Sequence, residues 1–110
     1  MTVNEFLKYT QRPDEYGYQV RPRVRCSDGY EISIQAGNGM YSTPRGVSDF
    51  YASVELGFPN MYDELISEYA EDPRKKTKTV FPYVPVEVVD ELLEKHGGIQ
   101  SIQYFNKLHS

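Results

Sequence analysis

Few side chains in this sequence can do acid–base, nucleophilic or metal chemistry, and they are scattered. There is one cysteine, Cys26, and there are two histidines, His96 and His109. Zinc sites draw on close pairs of nitrogen and sulfur ligands, and no Cys-x-x-Cys or His-x-x-x-His pair occurs, so no metal site is expected. A cysteine nucleophile needs a base beside it, and nothing in the sequence places one beside Cys26. His96 closes a helical pattern, where a positive side chain suits the helix dipole, and general acid–base work is its alternative role. The carboxylate pairs Asp14-Glu15, Glu71-Asp72 and Asp90-Glu91 are adjacent in sequence, so their side chains diverge in a helix or strand. No P-loop, dinucleotide fingerprint or Gly-x-Ser-x-Gly elbow appears, so no cofactor and no catalytic residue is expected. An enzyme would require Tyr41, Arg45, Asp49 and His96 to converge in space.

The elements that would carry these residues can be read from periodicity. Thr2 and Glu5 fit a capping box, and Val3, Phe6, Leu7 and Thr10 share one helical face, so a short helix is expected over Val3 to Thr10, ended by Pro13. A hairpin follows. Pairing through a three-residue loop, Ser27 to Gly29, sets Cys26 opposite Tyr30, Val24 opposite Ile32 and Arg25 opposite Glu31. A two-residue turn would mix the faces, so the pattern selects the longer loop, with Gly29 in the left-handed position. Cys26 then points into the core. Pro22 predicts an edge position for the first strand. Tyr51 to Phe58 alternates as a third strand, with Ala52, Val54, Leu56 and Phe58 inward.

Asn60 reads as the cap of a second helix, with Tyr62, Leu65, Ile66 and Tyr69 as its buried stripe. Val80 to Val84 is apolar, but Pro82 limits it to an edge strand or extended segment. Pro85 opens the clearest helix, whose stripe is Val88, Val89, Leu92 and Leu93 and whose end is Gly97-Gly98. The tail beyond Ile99, with Ile102, Tyr104, Phe105 and Leu108, is left open between helix and strand. The expected fold class is α+β: a single domain, 1–110, with a three-stranded antiparallel meander and about three helices packed on one face, in the order α-β-β-β-α-(β)-α.

Function classes narrow by composition. The formal net charge is −4, which disfavours a protein that coats nucleic acid by bulk charge. No apolar run reaches the ~20 residues that span a bilayer. The start, Met1-Thr2-Val3-Asn4-Glu5, has no basic and apolar leader pattern, so a cytoplasmic location is expected. Ten tyrosines with no tryptophan are the unusual entries. The segment 37–50 between the second and third strands is a long turn-rich loop, the kind that often carries function. Within and beside it, Tyr41, Ser42, Thr43, Arg45 and Tyr51 are the candidate partner-binding residues, since tyrosine and arginine are enriched at binding hot spots. Arg21, Arg23 and Arg25 form the alternative site, a basic β-ribbon for nucleic acid with Tyr18, Tyr30 or Tyr51 stacking on bases. The acidic sides of the last two helices are another contact face, of the kind that can occupy nucleic-acid sites on other proteins.

Several motifs carry a resemblance. Tyr41-Ser42-Thr43-Pro44-Arg45, Val54-Glu55-Leu56-Gly57-Phe58-Pro59, Tyr69-Ala70-Glu71-Asp72-Pro73, Tyr83-Val84-Pro85-Val86-Glu87-Val88-Val89 and His96-Gly97-Gly98-Ile99 resemble, in order and spacing, a group of short hypothetical proteins of phages and prophages. The resemblance spans roughly residues 30 to 99 and brings no functional residue with it. It implies a context: a small accessory protein that binds a host protein in the host cytoplasm, with a defence complex as one target. The leading expectation is thus a non-enzymatic binding protein acting on a host protein. The alternatives are a nucleic-acid binder and a small-molecule sequestering protein with a pocket between subunits under the long loop. A homodimer is compatible with all three.

Overall fold

The computed structural model describes residues 1–12 and 19–103. Pro13, Asp14, Glu15, Tyr18, Tyr104, Phe105, Leu108 and His109, named above, lie outside the described residues. The first helix, α1, runs Val3–Thr10 with the expected capping box: Thr2 N–H donates to Glu5 Oε1 at 2.6 Å, and Glu5 N–H donates to Thr2 Oγ1. The strands are β1 (Arg23–Cys26), β2 (Glu31–Gln35), β3 (Ser53–Gly57), β4 (Val80–Pro85) and β5 (Ile99–Gln103). A 3₁₀ helix spans Glu64–Tyr69, and the second α-helix, α2, spans Val86–Lys95.

The architecture is α+β, with an antiparallel sheet of five strands, in the order β4-β3-β2-β1-β5, rather than three. The expected hairpin register holds: Val24 faces Ile32 and Arg25 faces Glu31. Cys26 N–H donates to Tyr30 O at 2.7 Å, and Gly29 takes φ 96° at the loop's end. The inward residues of β1, β2 and β3 form one face, Val24, Cys26, Ile32, Ile34, Val54 and Leu56, all fully buried. Phe6 and Leu7 of α1, Ile66 of the 3₁₀ helix and Val89, Leu92 and Leu93 of α2 cover that face as one core.

Several expectations are corrected. Of the third strand's inward set, Val54 and Leu56 are buried, whereas Ala52 and Phe58 are exposed. The first strand is not an edge, because β5 pairs along its other side. Pro22 lies just before β1 and removes no donor from the ladder. The segment Val80 to Val84 is an edge strand, β4, as Pro82 allows, and β5 is the strand left open in the tail; both are irregular. Against β3, the partners of Val54 and Leu56 are Val84 and Phe81, so β4 carries one extra residue there. Against β1, the partners of Arg25 and Cys26 are Ser101 and Ile99, so β5 carries one extra residue at Gln100. These bulges put side chains three apart, Phe81 with Val84 and Ile99 with Ile102, toward the core.

The second helix is also shorter than its stripe suggests. Its cap is Asp63, whose Oδ1 accepts from Leu65 N–H, and not Asn60. Asn60 is drawn instead to the β1–β2 loop: its Oδ1 accepts from Glu31 N–H and its Nδ2 donates to Gly29 O. Tyr62 therefore leaves the stripe and is half exposed, with Lys76 Nζ 4.9 Å from its ring centroid.

Candidate functional site

Two places gather chemistry. The first is His96, where α2 ends. Gly98 N–H donates back to Leu93 O and Gly97 N–H to Glu94 O, so the helix closes on two left-handed glycines. That closure lies against the β1–β2 loop: Ser27 N–H donates to Gly98 O, Asp28 N–H to His96 O, and Ser27 Oγ to Gly97 O. A Cβ at Gly97 would stand 2.9 Å from Ser27 Cβ, so only glycine allows this approach.

The imidazole of His96 sits between two carboxylates. Nδ1 is 2.6 Å from Asp28 Oδ2, and Nε2 is 2.7 Å from Asp63 Oδ2. Both contacts are of hydrogen-bond length, and the tautomer sets which ring nitrogen donates. Asp63 is almost completely buried and also takes Lys95 Nζ at 3.1 Å. Burial pushes the Asp63 carboxyl up, but the Leu65 N–H, the His96 ring and Lys95 together hold it below its ordinary value. The Tyr30 N–H and then the His96 ring hold Asp28 low. Tyr30 lies flat under the imidazole, with ring centroids 3.9 Å apart and planes 7° apart. The Tyr30 hydroxyl is buried and finds no hydrogen-bond partner among the described residues. Burial, with Asp63 next, drives its pKa upward.

This cluster ties the hairpin loop, the 3₁₀ helix and α2 together. His96 is thus a capping histidine as expected, with two charged partners that no local motif announces. Both ring nitrogens contact carboxylates in this arrangement. Asp90, from another carboxylate pair, accepts the Val3 N–H at 2.7 Å and so holds the start of α1. Asp72 is bound by Arg74. Cys26 is fully buried, and burial with the nearby Asp28 raises its thiol to about 11. Among the described residues, no group of His, Cys, Asp and Glu side chains could hold a metal ion.

The second place is the loop 37–50 and the β4 edge. The loop is pinned at several points. Thr43 N–H donates to Ser53 O, and Ala52 N–H donates to Thr43 O, so the loop runs as a bridge beside β3. Ser42 is buried, accepts from Gly37 N–H and donates to Pro44 O. Thr43 Oγ1 accepts from Ser53 Oγ. Tyr51 is 1% exposed. Its hydroxyl accepts from Ser48 N–H and donates to Gly46 O, while Asn4 of α1 reads both of its backbone groups. Ser42 and Tyr51 therefore shape the loop from inside, while Tyr41, Thr43 and Arg45 reach its surface, as do Pro44, Val47, Asp49 and Phe50.

Tyr83 completes this surface, and the sequence pattern does not reveal it. The β4 bulge turns it outward in a left-handed conformation, φ 54°, which costs a non-glycine residue about 1 kcal/mol. Its N–H donates to Tyr41 O, and its ring meets the Tyr41 ring at a centroid distance of 5.8 Å, tilted 49°. The Arg45 guanidinium lies 5.3 Å from the Tyr41 ring centroid on the same surface.

The three arginines do not share a face. Arg21 is buried, and its guanidinium donates to Ala36 O, Thr10 Oγ1, Leu7 O and Gln11 Oε1. It thereby satisfies carbonyls at the end of α1, and burial pushes its pKa down. Arg23 and Arg25 flank Glu31 at 3.4 Å and 2.6 Å, and Arg23 also donates to Phe58 O. The acidic sides of the last two helices remain exposed at Glu64, Glu68, Glu87, Glu91 and Glu94. No helix among the described residues is long and apolar enough to cross a membrane. No family model matches the chain, and comparison with curated proteins and with solved structures likewise gives no match.

Proposed function

We propose that this chain is a non-enzymatic binding protein whose contact surface is the cluster Tyr41, Arg45 and Tyr83, with Thr43 at its border. The observation that carries this reading is Tyr83: an exposed aromatic ring held in a strained backbone conformation, beside a second exposed ring and a cation. Strain of this kind persists where surrounding structure enforces it, and it gathers at binding and active sites. Rings and guanidinium groups of this type supply contact area at low entropic cost. The engagement of both His96 nitrogens by carboxylates supports a binding role over catalysis. The likeness to short phage and prophage proteins directs the search to a host protein, a defence complex among them.

The test is affinity capture from host lysate with the tagged chain and with Tyr83→Gly. A partner retained by the wild type in stoichiometric amount and lost by the variant supports the reading. Recovery of no stoichiometric protein, with or without infection, overturns it. The placement of the arginines favours this over a nucleic-acid role, since Arg21 is inside and Glu31 offsets Arg23 and Arg25.

A further inference from the structure

The sequence holds one Asp-Gly and one Asn-Gly pair, Asp28-Gly29 and Asn38-Gly39. A glycine has no side chain to shield its backbone nitrogen, so that nitrogen can reach the side-chain carbonyl carbon of the residue before it and close a cyclic imide. The fold treats the two pairs differently. Asp28 is held: Tyr30 N–H donates to its Oδ1, and His96 Nδ1 is 2.6 Å from its Oδ2. Gly29 N–H donates to Cys26 O at 3.0 Å, so the nitrogen that would attack is occupied as well.

Asn38-Gly39 is open. Met40 N–H donates to Gly37 O at 3.1 Å, which closes a β-turn with Asn38 and Gly39 at its centre. Gly39 takes φ 82°, as the second central residue of a type II turn requires. The turn's own hydrogen bond uses neither group of the central peptide, so it does not engage Gly39 N–H. Among the described residues no acceptor takes that N–H and no partner holds the Asn38 side chain. Both residues are exposed to water. The other described asparagines are fastened through both atoms of the amide. Asn4 bonds the N–H and C=O of Tyr51, and Asn60 accepts from Glu31 N–H and donates to Gly29 O.

We infer that Asn38 is a site of self-modification, at which the Gly39 nitrogen attacks Asn38 Cγ and the side-chain amide is lost as ammonia. The N–Cγ bond forms as the Cγ–Nδ2 bond breaks, and the Gly39 amide proton leaves with the ammonia. Water then opens the imide. Cleavage of the new N–Cγ bond gives aspartate. Cleavage of the original peptide bond gives isoaspartate, in which the chain runs through the side-chain carbon. Either product adds a negative charge to a chain that carries −4. Asn38 Oδ1 lies 3.5 Å from where a Cβ of Gly46 would stand, so the aspartate product sets its charge beside the sequence neighbour of Arg45. This inference does not depend on the proposed binding role.

The test is mass spectrometry of the purified full chain, intact and after digestion, during incubation in warm, mildly alkaline buffer. The folded wild type should gain the mass of an amide-to-acid exchange at Asn38, as a mixture of aspartate and isoaspartate. Conversion there should run at least about tenfold faster than at Asn4, Asn60 or Asp28, and Asn38→Gln should remove it, since a longer side chain closes a larger ring more slowly. An Asn38 that stays intact in the folded chain while the unfolded chain converts overturns the inference. So does conversion of Asn4, Asn60 or Asp28 in the folded chain at the rate of Asn38, since the hydrogen bonds then decide nothing.

Discussion

His96 Nε2 lies 2.7 Å from Asp63 Oδ2, which joins the end of α2 to the cap of the 3₁₀ helix across 33 residues of sequence. The same ring reaches Asp28 in the β1–β2 loop, 68 residues away. Three elements with little local stability are thus held at one imidazole. A 3₁₀ helix of this length and a ten-residue α2 both depend on tertiary contacts to persist.

Removal of Asp63 should therefore cost more than removal of either basic neighbour. Asp63→Ala leaves the Leu65 N–H, the His96 ring and Lys95 without their common acceptor, and a loss of about 2–3 kcal/mol is expected. Lys95→Ala should cost under about 1 kcal/mol, because Lys95 is half exposed and its pair is screened. Urea unfolding of the two variants beside the wild type measures both, and the order Asp63 over Lys95 is the point at issue.

The same carboxylates set the acid limit. Asp28 and Asp63 both lie below their ordinary value in the folded chain. A depressed carboxyl contributes stability above its unfolded pKa, and that contribution is lost as pH falls through the folded pKa. Stability should thus decline below about pH 4, as the protons bound by the unfolded chain outnumber those bound by the folded one. Asp63→Asn should flatten that decline, as followed by urea midpoints across the acid range.

The docking of α2 on the hairpin makes an ordered pair of glycine predictions. Gly97 and Gly98 have similar backbone angles, φ 89° and φ 82°, so alanine is strained at both. Only at Gly97 does the new Cβ also meet Ser27, at 2.9 Å, while at Gly98 it meets open space. Gly98→Ala should cost about 1 kcal/mol and Gly97→Ala about 2 kcal/mol or more. Thermal melts of the two variants should separate in that order.

Buried inside the hairpin, Cys26 should be inert. Its thiol is raised to about 11 and its side chain is shielded, so a thiol reagent at neutral pH should react with the folded chain only through unfolding. Labelling that is slow in buffer and complete in denaturant checks the placement.

How much of this was legible in the sequence follows from locality. The capping box of Thr2 and Glu5 and the hairpin register were readable, because each is decided by residues a few positions apart. The apolar set of Val24, Cys26, Ile32 and Ile34 shares a face in only one register. β4 was readable as an edge strand from Val80 to Val84, whereas β5 was not, because its bulge replaces alternation with a spacing of three. Asn60 looked like a cap by type, and only the position of the hairpin loop shows that its side chain is used there. The His96 cluster joins three distant segments, and no spacing rule links Asp28, Asp63 and His96. In the loop, Tyr41 and Arg45 were named from residue type, whereas the burial of Ser42 and Tyr51 depends on neighbours that the loop sequence does not specify.

The proposed contact surface carries the sharpest separation of stability from function. Glycine at position 83 keeps the N–H that reaches Tyr41 O and relieves a left-handed tyrosine, at the loss of one exposed ring contact. Tyr83→Gly should therefore fold at least as stably as the wild type, within about 1 kcal/mol. Capture of host protein by wild type and by Tyr83→Gly, compared at equal folded concentration, is the most direct measurement. The account predicts a stoichiometric partner on the wild type and at least a tenfold weaker capture by the variant, or about 1.4 kcal/mol in affinity. Equal capture by both proteins would contradict it.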